Sequence, residues 1–389
     1  MSEWKMVKIG EICEQINGVS YKPADVYDSL TENATVLLRA NNIFEDKLNY
    51  DELVFVDKKR VSKNQYMKKG DILICASSGS KHLVGKAACL TEDKELTFGA
   101  FCKVLRPKTI NPEYIKHYFF SPFYRTEISR LSEGANINNI KAADLENLTI
   151  PLPTESEQNR IAKQLDKCIT IINKQKRALE KYDLLIKSRF IEMFGDSVTN
   201  SKNWNLKKLG DLLESIRYGT STPPVFSETG YAFIRATNIK KGKIVNDDMK
   251  YISEEEAKKI SKCKLNGNEI LIVRSGVNSG DTCVVTKEYI NQYAGYDMIL
   301  VLGNQINPIY LNELLNTNYM EKMIKPLTRR AAQPHLNSEQ TQSLPIILPP
   351  LSLQNDFAAF VHQIDKSKFE IWLYLNLCYI IEKRVFTYD

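Results

Sequence analysis

Apolar residues follow a seven-residue repeat in a long stretch near the middle of the chain. Successive seam positions after Pro153 alternate steps of four and three residues. They are Ile161, Leu165, Cys168, Ile172, Gln175, Leu179, Tyr182, Ile186, Arg189 and Met193. This spacing puts one stripe along a helix, and no glycine or proline interrupts it before Gly195. A helix of about 40 residues would form a rod of roughly 60 Å.

A second stretch with the same pattern ends the chain. Its seam positions are Leu353, Phe357, Val361, Ile364, Lys368, Ile371, Leu375 and Cys378. Neither helix can bury its own stripe, so we expect the two to pack on each other. An antiparallel arrangement is expected because the chain has to return between them. The alternative is two independent helices, each lying on its own domain.

Short β-rich runs precede each long helix and recur in the same order. The predicted strands are Thr35–Arg39, Asp71–Ala76 and Phe101–Leu105 in the first copy, and Ala232–Arg235, Glu269–Arg274 and Met298–Leu302 in the second. Helical periodicity follows over Asn111–Leu131 and Asn307–Leu327. Both helical runs open with Asn-Pro, which is typical of a helix N-terminus.

The recurring order indicates a tandem duplication. Trp4 matches Trp204 at an offset of 200 residues, and Arg39 matches Arg235 at an offset of 196. Such a unit is too long for a solenoid repeat, so each copy is a whole domain plus a helix. We therefore predict an α+β protein with two tandem α/β domains separated by two long helices that form an antiparallel coiled coil. The predicted boundaries are 1–153 and 197–350 for the domains, and 154–196 and 351–389 for the helices.

Composition narrows the class of protein. The chain has 389 residues, 43% of them hydrophobic and 26% charged, which is typical of a globular protein of at least two domains. The net charge of +6 is compatible with binding nucleic acid but does not require it. No signal peptide and no apolar run long enough to span a membrane is visible, so a cytoplasmic location is expected. The eight cysteines and four histidines show no metal-ligand spacing, so no metal and no cofactor is expected.

Motifs of catalytic sites are missing from the sequence. It contains no phosphate-binding loop, no dinucleotide-binding glycine pattern and no nucleophile elbow. The segments Asn111–Tyr114 and Asn307–Tyr310 resemble the Asn-Pro-Pro-Tyr motif with which amino-methyltransferases hold the target amine. Both lack its second proline, and both open a helical run, so we expect helix capping there. The chain is predicted not to be an enzyme.

Three polar loops in each domain carry side chains suited to nucleic acid. The candidates in the first domain are Arg39, Asn41, Asn42, Ser77, Ser78, Lys81, His82, Asn136, Asn138, Asn139 and Lys141. Those in the second domain are Arg235, Asn238, Arg274, Ser275, Asn278, Arg329, Arg330, Gln333 and His335. Arginine can bind guanine and asparagine or glutamine can bind adenine, each with two hydrogen bonds, whereas lysine and serine suit phosphates.

The shared arginines have a second interpretation. Arg39 and Arg235 recur at matching positions, so they could hold each domain together instead of contacting a ligand. The loops, by contrast, differ between the copies while the surrounding frame recurs. This combination predicts two readers that recognise two different short sequences.

In its order of motifs the whole chain resembles the specificity subunits of type I restriction-modification systems. The resemblance depends on Trp4–Ile12, Lys69–Ile74, Ile150–Ile161, Ser188–Asp196 and Leu348–Gln354. It implies two target-recognition domains that each read one half of an asymmetric bipartite site in double-stranded DNA. It also implies helices that set the gap between the halves and dock methyltransferase subunits, two in number, with motor-nuclease subunits joining the complex.

Two alternatives remain open from the sequence. One is a scaffold or adaptor whose repeated domains bind protein and whose helices dimerise. The other is a self-contained methyltransferase, which would have to bind S-adenosylmethionine by itself.

Overall fold

The structure is a computed structural model that describes residues 4–44, 46–80, 83–133, 139–328 and 334–386. The chain divides into two compact units. The first unit contains the residues up to Lys176 together with those from Trp372 onward, and the second contains Arg177–Ile371. In the part of the chain that the structure describes, no helix combines the length and the hydropathy that a membrane span requires.

Unit 1 is built from short strands and a few helices. Its strands are β1 (Lys5–Lys8), β2 (Cys13–Asn17), β3 (Val26–Tyr27), β4 (Ala34–Leu38), β5 (Ile43–Phe44), β6 (Lys47–Leu48), β7 (Val54–Asp57), β8 (Ile72–Cys75), β9 (Ala87–Cys89), β10 (Leu96–Phe98), β11 (Cys102–Pro107) and β12 (Thr149–Leu152). Its helices are α1 (Ile9–Ile12), α2 (Pro112–Phe120), α3 (Pro122–Glu133), α4 (Ala142–Glu146) and the beginning of α5 (Glu155–Phe194). The strands form two four-stranded sheets, β10-β4-β7-β3 and β2-β11-β8-β9, and the two-stranded sheets β1-β12 and β5-β6.

Unit 2 repeats this architecture. Its strands are β13 (Asn205–Lys208), β14 (Leu213–Tyr218), β15 (Phe226–Ser227), β16 (Tyr231–Ile234), β17 (Ile239–Lys240), β18 (Lys243–Ile244), β19 (Lys250–Ile252), β20 (Ile270–Ile272), β21 (Thr282–Val284), β22 (Tyr293–Ala294), β23 (Met298–Leu302) and β24 (Pro345–Leu348). Its helices are α6 (Glu254–Lys259), α7 (Pro308–Leu315), α8 (Lys325–Thr328), α9 (Ser338–Gln342) and most of α10 (Leu351–Phe386), with a π-helical turn over Met320–Ile324.

Strand for strand, the sheets of unit 2 match those of unit 1. They are β22-β16-β19-β15, β14-β23-β20-β21, β13-β24 and β17-β18. The parallel pair β10-β4 has its counterpart in the parallel pair β22-β16. The structure therefore confirms the duplication and the mixed helix-and-sheet class that the sequence predicts. The predicted strands are also observed, with ends shifted by at most two residues.

Each of the two predicted helical runs is divided in the structure. In unit 1 a break at Ser121, which has an extended conformation, separates α2 from α3. Ser121 precedes Pro122, and a residue before proline is disfavoured in the helical conformation. In unit 2 α7 ends at Leu315, and the chain becomes helical again at Asn318, just before the π-helical turn. Apolar periodicity continues across both breaks, so the helical periodicity of the sequence does not reveal that each run is divided.

The two long helices supply the apolar stripes that the heptad pattern predicts. In unit 1, Ile161, Ala162 and Leu165 of α5 are buried in the same core as Tyr114 of α2. In unit 2, the second half of α5 and the first half of α10 enter one core. There the rings of Phe190 and Phe357 lie 5.5 Å apart.

Candidate nucleic-acid interface

The first shared feature is a set of hydrogen bonds, here called the latch, that closes the loop after the first predicted strand of each copy. In unit 1 the backbone N–H of Arg39 donates to Oδ1 of Asn42 at 2.8 Å. Nδ2 of Asn42 donates to the carbonyls of Asn49 and Asp51 at 3.0 and 2.9 Å. Asn42 is fully buried, so all its hydrogen-bonding groups serve the loop that carries β5 and β6.

Unit 2 contains the same latch. The backbone N–H of Arg235 donates to Oδ1 of Asn238 at 3.1 Å, and Nδ2 of Asn238 donates to the carbonyls of Val245 and Asp247. Like its counterpart, Asn238 is fully buried. The geometry thus gives these two predicted asparagines a role in holding the loop.

The latch arginines also bind to their own loops. Nη2 of Arg39 donates to the carbonyl of Glu52 at 3.3 Å, and Nη2 of Arg235 lies 2.9 Å from Oδ2 of Asp248. Glu52 and Asp248 both have positive φ angles, of 51° and 49°. Such angles are uncommon outside glycine, and an arginine bond to the turn helps to hold it. The structural interpretation of Arg39 and Arg235 therefore has direct support, while Asn41 is exposed next to Arg39 in unit 1.

The second and third predicted loops meet in each unit. In unit 1 Ser77 forms an antiparallel bridge with Asn139. In unit 2 Ser275 forms the equivalent bridge with His335, and its hydroxyl lies 2.9 Å from Nδ1 of His335. Residues about 60 positions apart in the sequence thus form one polar ridge next to the end of β8 or β20.

In unit 1 the first and second predicted loops of this site border one concavity. It has a volume of about 600 Å³ and is lined by Arg39, Asn41, Ser77 and Ser78 together with the backbone around Gly99. The structure therefore brings the first and second predicted groups of this domain together. The remaining described candidates lie nearby in sequence: Lys141 is exposed at the start of α4, and Asn278 is half-buried in the loop after β20. The candidates Lys81, His82, Asn136, Asn138, Arg329, Arg330 and Gln333 lie outside the described residues.

Sequence reasoning missed two exposed aromatic residues at this edge. Phe101 is 72% exposed and lines the concavity of unit 1, and Tyr296 of unit 2 is 43% exposed. Each lies in the turn between a glycine, Gly99 or Gly295, and the following strand. An exposed aromatic ring can make apolar contact with a base edge, but only the fold shows that these rings are exposed.

A further missed group surrounds Arg274 in unit 2. Its guanidinium lies 4.5 Å from the centre of the Tyr218 ring, and its backbone N–H donates to Oδ1 of Asp297 at 3.3 Å. Asp297 is only 3% exposed. Burial raises the pKa of its carboxyl to about 7, although the hydrogen bond from Arg274 and the charge of its guanidinium act in the opposite direction.

The Asn-Pro segments join each domain to its long helix. Oδ1 of Asn111 accepts hydrogen bonds from the first turn of α2, as predicted for a cap. The Asn111 backbone N–H and Nδ2 bind Gln158 and Asn159 of α5 at 2.9 and 2.7 Å. Asn307 makes the corresponding bonds to Gln354 and Asn355 of α10, at 2.8 and 2.9 Å.

These bonds give the Asn-Pro-x-Tyr pattern a structural meaning. Tyr114 and Tyr310 donate their hydroxyls to the carbonyls of Pro151 and Ile347, at 2.9 and 2.8 Å. The pattern therefore fixes a domain on its helix, which agrees with the capping role predicted for it. Within the described residues no group of three or more histidine, cysteine or acidic side chains could hold a metal ion.

Comparisons with known proteins identify the family. The model of the "type I restriction modification DNA specificity domain" matches twice, over residues 1–181 and 201–372. The chain is 30% identical over 380 residues to the type I restriction enzyme EcoKI specificity subunit of Escherichia coli. It is 31% identical over 382 residues to the StySPI specificity subunit of Salmonella potsdam. Each alignment spans 93% of this chain and 82% of the relative.

Two solved structures have the same fold. One is the crystal structure of a type I restriction-modification S subunit from M. genitalium, with a TM-score of 0.55 and 14% identity over 99% of this chain and 96% of that chain. The other comes from a study of complex assembly and conformational transition of the type I system, with a TM-score of 0.54 and 17% identity over 100% of this chain and 99% of that chain. The chain therefore belongs to the family of type I restriction-modification specificity subunits, with two tandem specificity domains.

Proposed function

We propose that each domain reads one half of an asymmetric bipartite site in double-stranded DNA, and that the chain contributes recognition instead of catalysis. One observation carries this proposal: the two domains share a frame strand for strand but expose different side chains around the same edge. A common frame gives both domains one way to approach DNA, and unlike loops give each its own base preference.

The contacting residues are proposed from the polar edge of each domain. They are Arg39, Asn41, Ser77, Ser78, Asn139 and Lys141 in the first domain, and Arg235, Arg274, Ser275, Asn278 and His335 in the second. We assign Asn42 and Asn238 a positioning role, because both are fully buried and hydrogen-bonded within their loops. For the candidates outside the described residues, DNA contact stays a sequence prediction.

For the helices we propose an antiparallel coiled coil that sets the gap between the half-sites. The proposed domains are 1–153 and 197–350, and the proposed helical segments are 154–196 and 351–389. Contacts within unit 2 support the antiparallel direction. Phe190 packs against Phe357, whereas Asp183, earlier in α5, pairs with Lys368, later in α10, at 2.6 Å.

The proposed partners are methyltransferase subunits, two in number, with motor-nuclease subunits joining through the complex. The names of the relatives as specificity subunits of restriction enzymes support this assembly. The long helices also expose apolar side chains that a partner could cover: Leu184, Ile191 and Phe369 are each 58–62% exposed. S-adenosylmethionine and ATP chemistry would then belong to the partners, and a DNA substrate agrees with the expected cytoplasmic location.

Mapping DNA methylation tests the proposed function. The full chain is expressed with its methyltransferase partner in a host that lacks other methylation, and the methylated sites of the genome are sequenced. The expected result is one asymmetric motif of two short sequences separated by an unspecified gap. A palindromic motif or unselective methylation would contradict the proposal, and the partner expressed alone serves as the control.

The gap-setting role of the helices gives the first prediction. Inserting four residues, about one helical turn, between Gln175 and Leu179 should change the preferred gap. Both half-sites should stay unchanged, because the insertion does not alter the polar edge of either domain. Methylation mapping of the variant beside the unmodified chain measures both quantities. Altered half-sites at an unchanged gap would contradict the role of the helices.

A further inference from the structure

The surroundings of Arg274 in unit 2 hold its backbone in place. The N–H donates to Asp297, and the carbonyl accepts hydrogen bonds from the hydroxyl of Ser279 and the N–H of Leu336, both at 2.8 Å. The side chain lies over the ring of Tyr218. Arg274 is therefore fixed before any ligand arrives, which lowers the entropy lost on binding.

The charge of Arg274 is not neutralised as it is for other arginines of this unit. Arg217 pairs with Glu269 at 2.8 Å, and Arg235 pairs with Asp248 at 2.9 Å. Among the described residues no carboxylate oxygen lies within the 4.0 Å of an ion pair with Arg274, and its buried Nε has no hydrogen-bond partner. Nε is buried and cannot reach a ligand, but Nη1 and Nη2 form no hydrogen bond with a described residue, so these donors stay available.

Stacking on Tyr218 leaves those donors usable. A guanidinium that packs on an aromatic ring uses its flat face, whereas its N–H groups point outward in the plane of the group. Two parallel N–H donors match O6 and N7 of guanine in the major groove. The Tyr218 ring therefore orients the guanidinium and leaves its in-plane N–H groups able to bind a guanine.

Unit 1 lacks all three parts of this arrangement. Hydrogen bonding aligns Ala76 with Arg274, because the Ala76 carbonyl accepts the N–H of Ile140 as that of Arg274 accepts Leu336. The N–H groups of Cys102 and Asp297 bind the equivalent Gly99 and Gly295 carbonyls.

Strand pairing completes the alignment. The last residue of β2, Asn17, pairs with Lys103, and the last residue of β14, Tyr218, pairs with Met298. Lys103 therefore corresponds to Met298, and Cys102 corresponds to Asp297. Asn17 in turn corresponds to Tyr218. An arginine, its aromatic platform and its buried carboxylate are therefore present together in one domain and absent together from the other.

We propose that Arg274 reads a guanine in the half-site of the second domain, with Tyr218 and Asp297 as its positioning residues, and that the first domain has no such reader. This inference depends on the proposed function, because it names the base class that one of the two readers selects. A phosphate contact is the competing role for an arginine, and it would carry no base preference.

The test uses the full chain assembled with its methyltransferase partner and a library of random DNA duplexes. Arg274→Ala should lose the preference for guanine at one position of the second half-site, by roughly 5- to 150-fold. The unchanged first half-site reports that the variant is folded. Lys287→Ala is the matched control, because it removes one exposed positive charge from the same domain and should leave the motif intact.

The positioning residues have their own readout. Tyr218→Phe keeps the ring and should keep the guanine preference, whereas Tyr218→Ala should weaken it. Asp297→Asn keeps an oxygen acceptor for the Arg274 N–H and should preserve more of the preference than Asp297→Ala. Uniformly weaker binding by Arg274→Ala, with an unchanged motif, would overturn the inference and indicate a phosphate contact. Absence of any motif for the unmodified chain would instead overturn the proposed function.

Discussion

The two domains of this chain differ at the polar edge proposed to contact DNA and agree in the buried contacts that stabilise each domain. Both contain a buried carboxylate that binds an arginine and a loop backbone. Asp71 pairs with Arg106 at 2.7 Å, and Glu269 pairs with Arg217 at 2.8 Å. At the exposed edge, however, several corresponding side chains have unlike chemistry: Ala76 corresponds to Arg274, and Asn139 corresponds to His335. After duplication, the buried contacts of a domain and the polar edge proposed to contact DNA can therefore change independently.

The arginine of this ion pair comes from a different strand in each unit. Arg106 lies on β11 in unit 1, whereas Arg217 lies on β14 in unit 2. The carboxylate keeps its place in both units, since Asp71 accepts the N–H of Lys68 and Glu269 that of Asn266. The ion pair is thus a property of the shared frame, independent of which strand provides the cation.

Removing the frame carboxylate should have the largest effect on stability. Asp71→Ala and Glu269→Ala each leave a partly buried arginine without its partner, so each should lower the free energy of unfolding by about 3–5 kcal/mol. Urea unfolding of the full chain measures both. Glu95→Ala, which breaks an exposed ion pair with Lys58, is the control and should cost less than about 1 kcal/mol. Clearly unequal losses of unfolding free energy for Asp71→Ala and Glu269→Ala would show that the two ion pairs do not have the same role.

The buried Asp297 should make the stability of unit 2 depend on pH. The unfolded carboxyl loses its proton near pH 4, but the folded one, with its pKa raised to about 7, keeps it. Between these pH values the folded state binds more protons, so its stability falls as the pH rises. Asp297→Asn should remove this fall, which is on the order of 2–4 kcal/mol by pH 7.

Unfolding measured across this pH range checks the prediction. The advantage of Asp297→Asn over the unmodified chain should grow from pH 4 to pH 7 and then level off. Asp247→Asn, at an exposed position, provides the comparison and should show no such trend. A constant difference across the range for Asp297→Asn would contradict the effect of the buried carboxyl.

The smallest effect is expected from Phe101→Ala. This ring is mostly exposed, so its removal should change the free energy of unfolding by less than about 0.5 kcal/mol. Its loss should reduce selectivity in the first half-site by roughly tenfold or less, as apolar contact with a base is lost. Sequence selection from a duplex library measures this, with Tyr296→Ala as the matched change in the second domain. An unchanged first half-site would remove Phe101 from the reading edge.

The sequence predicts the helices and sheets better than it predicts the arrangement of residues at the polar edge of each domain. Heptad spacing locates α5 and α10, because a buried stripe on a long helix leaves a regular pattern. Strand alternation and repeated landmarks locate the sheets for the same reason. The pattern does not reveal the break at Ser121, because apolar spacing continues through it. The shared latch of Arg39 and Asn42 was foreseen only as an alternative interpretation of the arginine.

The group around Arg274 could not be found from the sequence, although Arg274 itself was predicted. Tyr218 and Asp297 lie 56 and 23 residues from it, on either side, and only the pairing of β14, β20 and β23 brings them together. The turn before β23 is also shorter than the corresponding turn before β11. One residue separates Gly295 from Asp297, whereas two separate Gly99 from Cys102. A constant offset therefore aligns the wrong residues at this edge.

Sequence selection by Phe101→Ala and Arg274→Ala, compared with the unmodified chain in one experiment, shows whether the two domains read DNA independently. We expect each substitution to change only the half-site of its own domain and the gap to stay the same. If either substitution altered both half-sites, the two domains would not be independent readers on a shared frame.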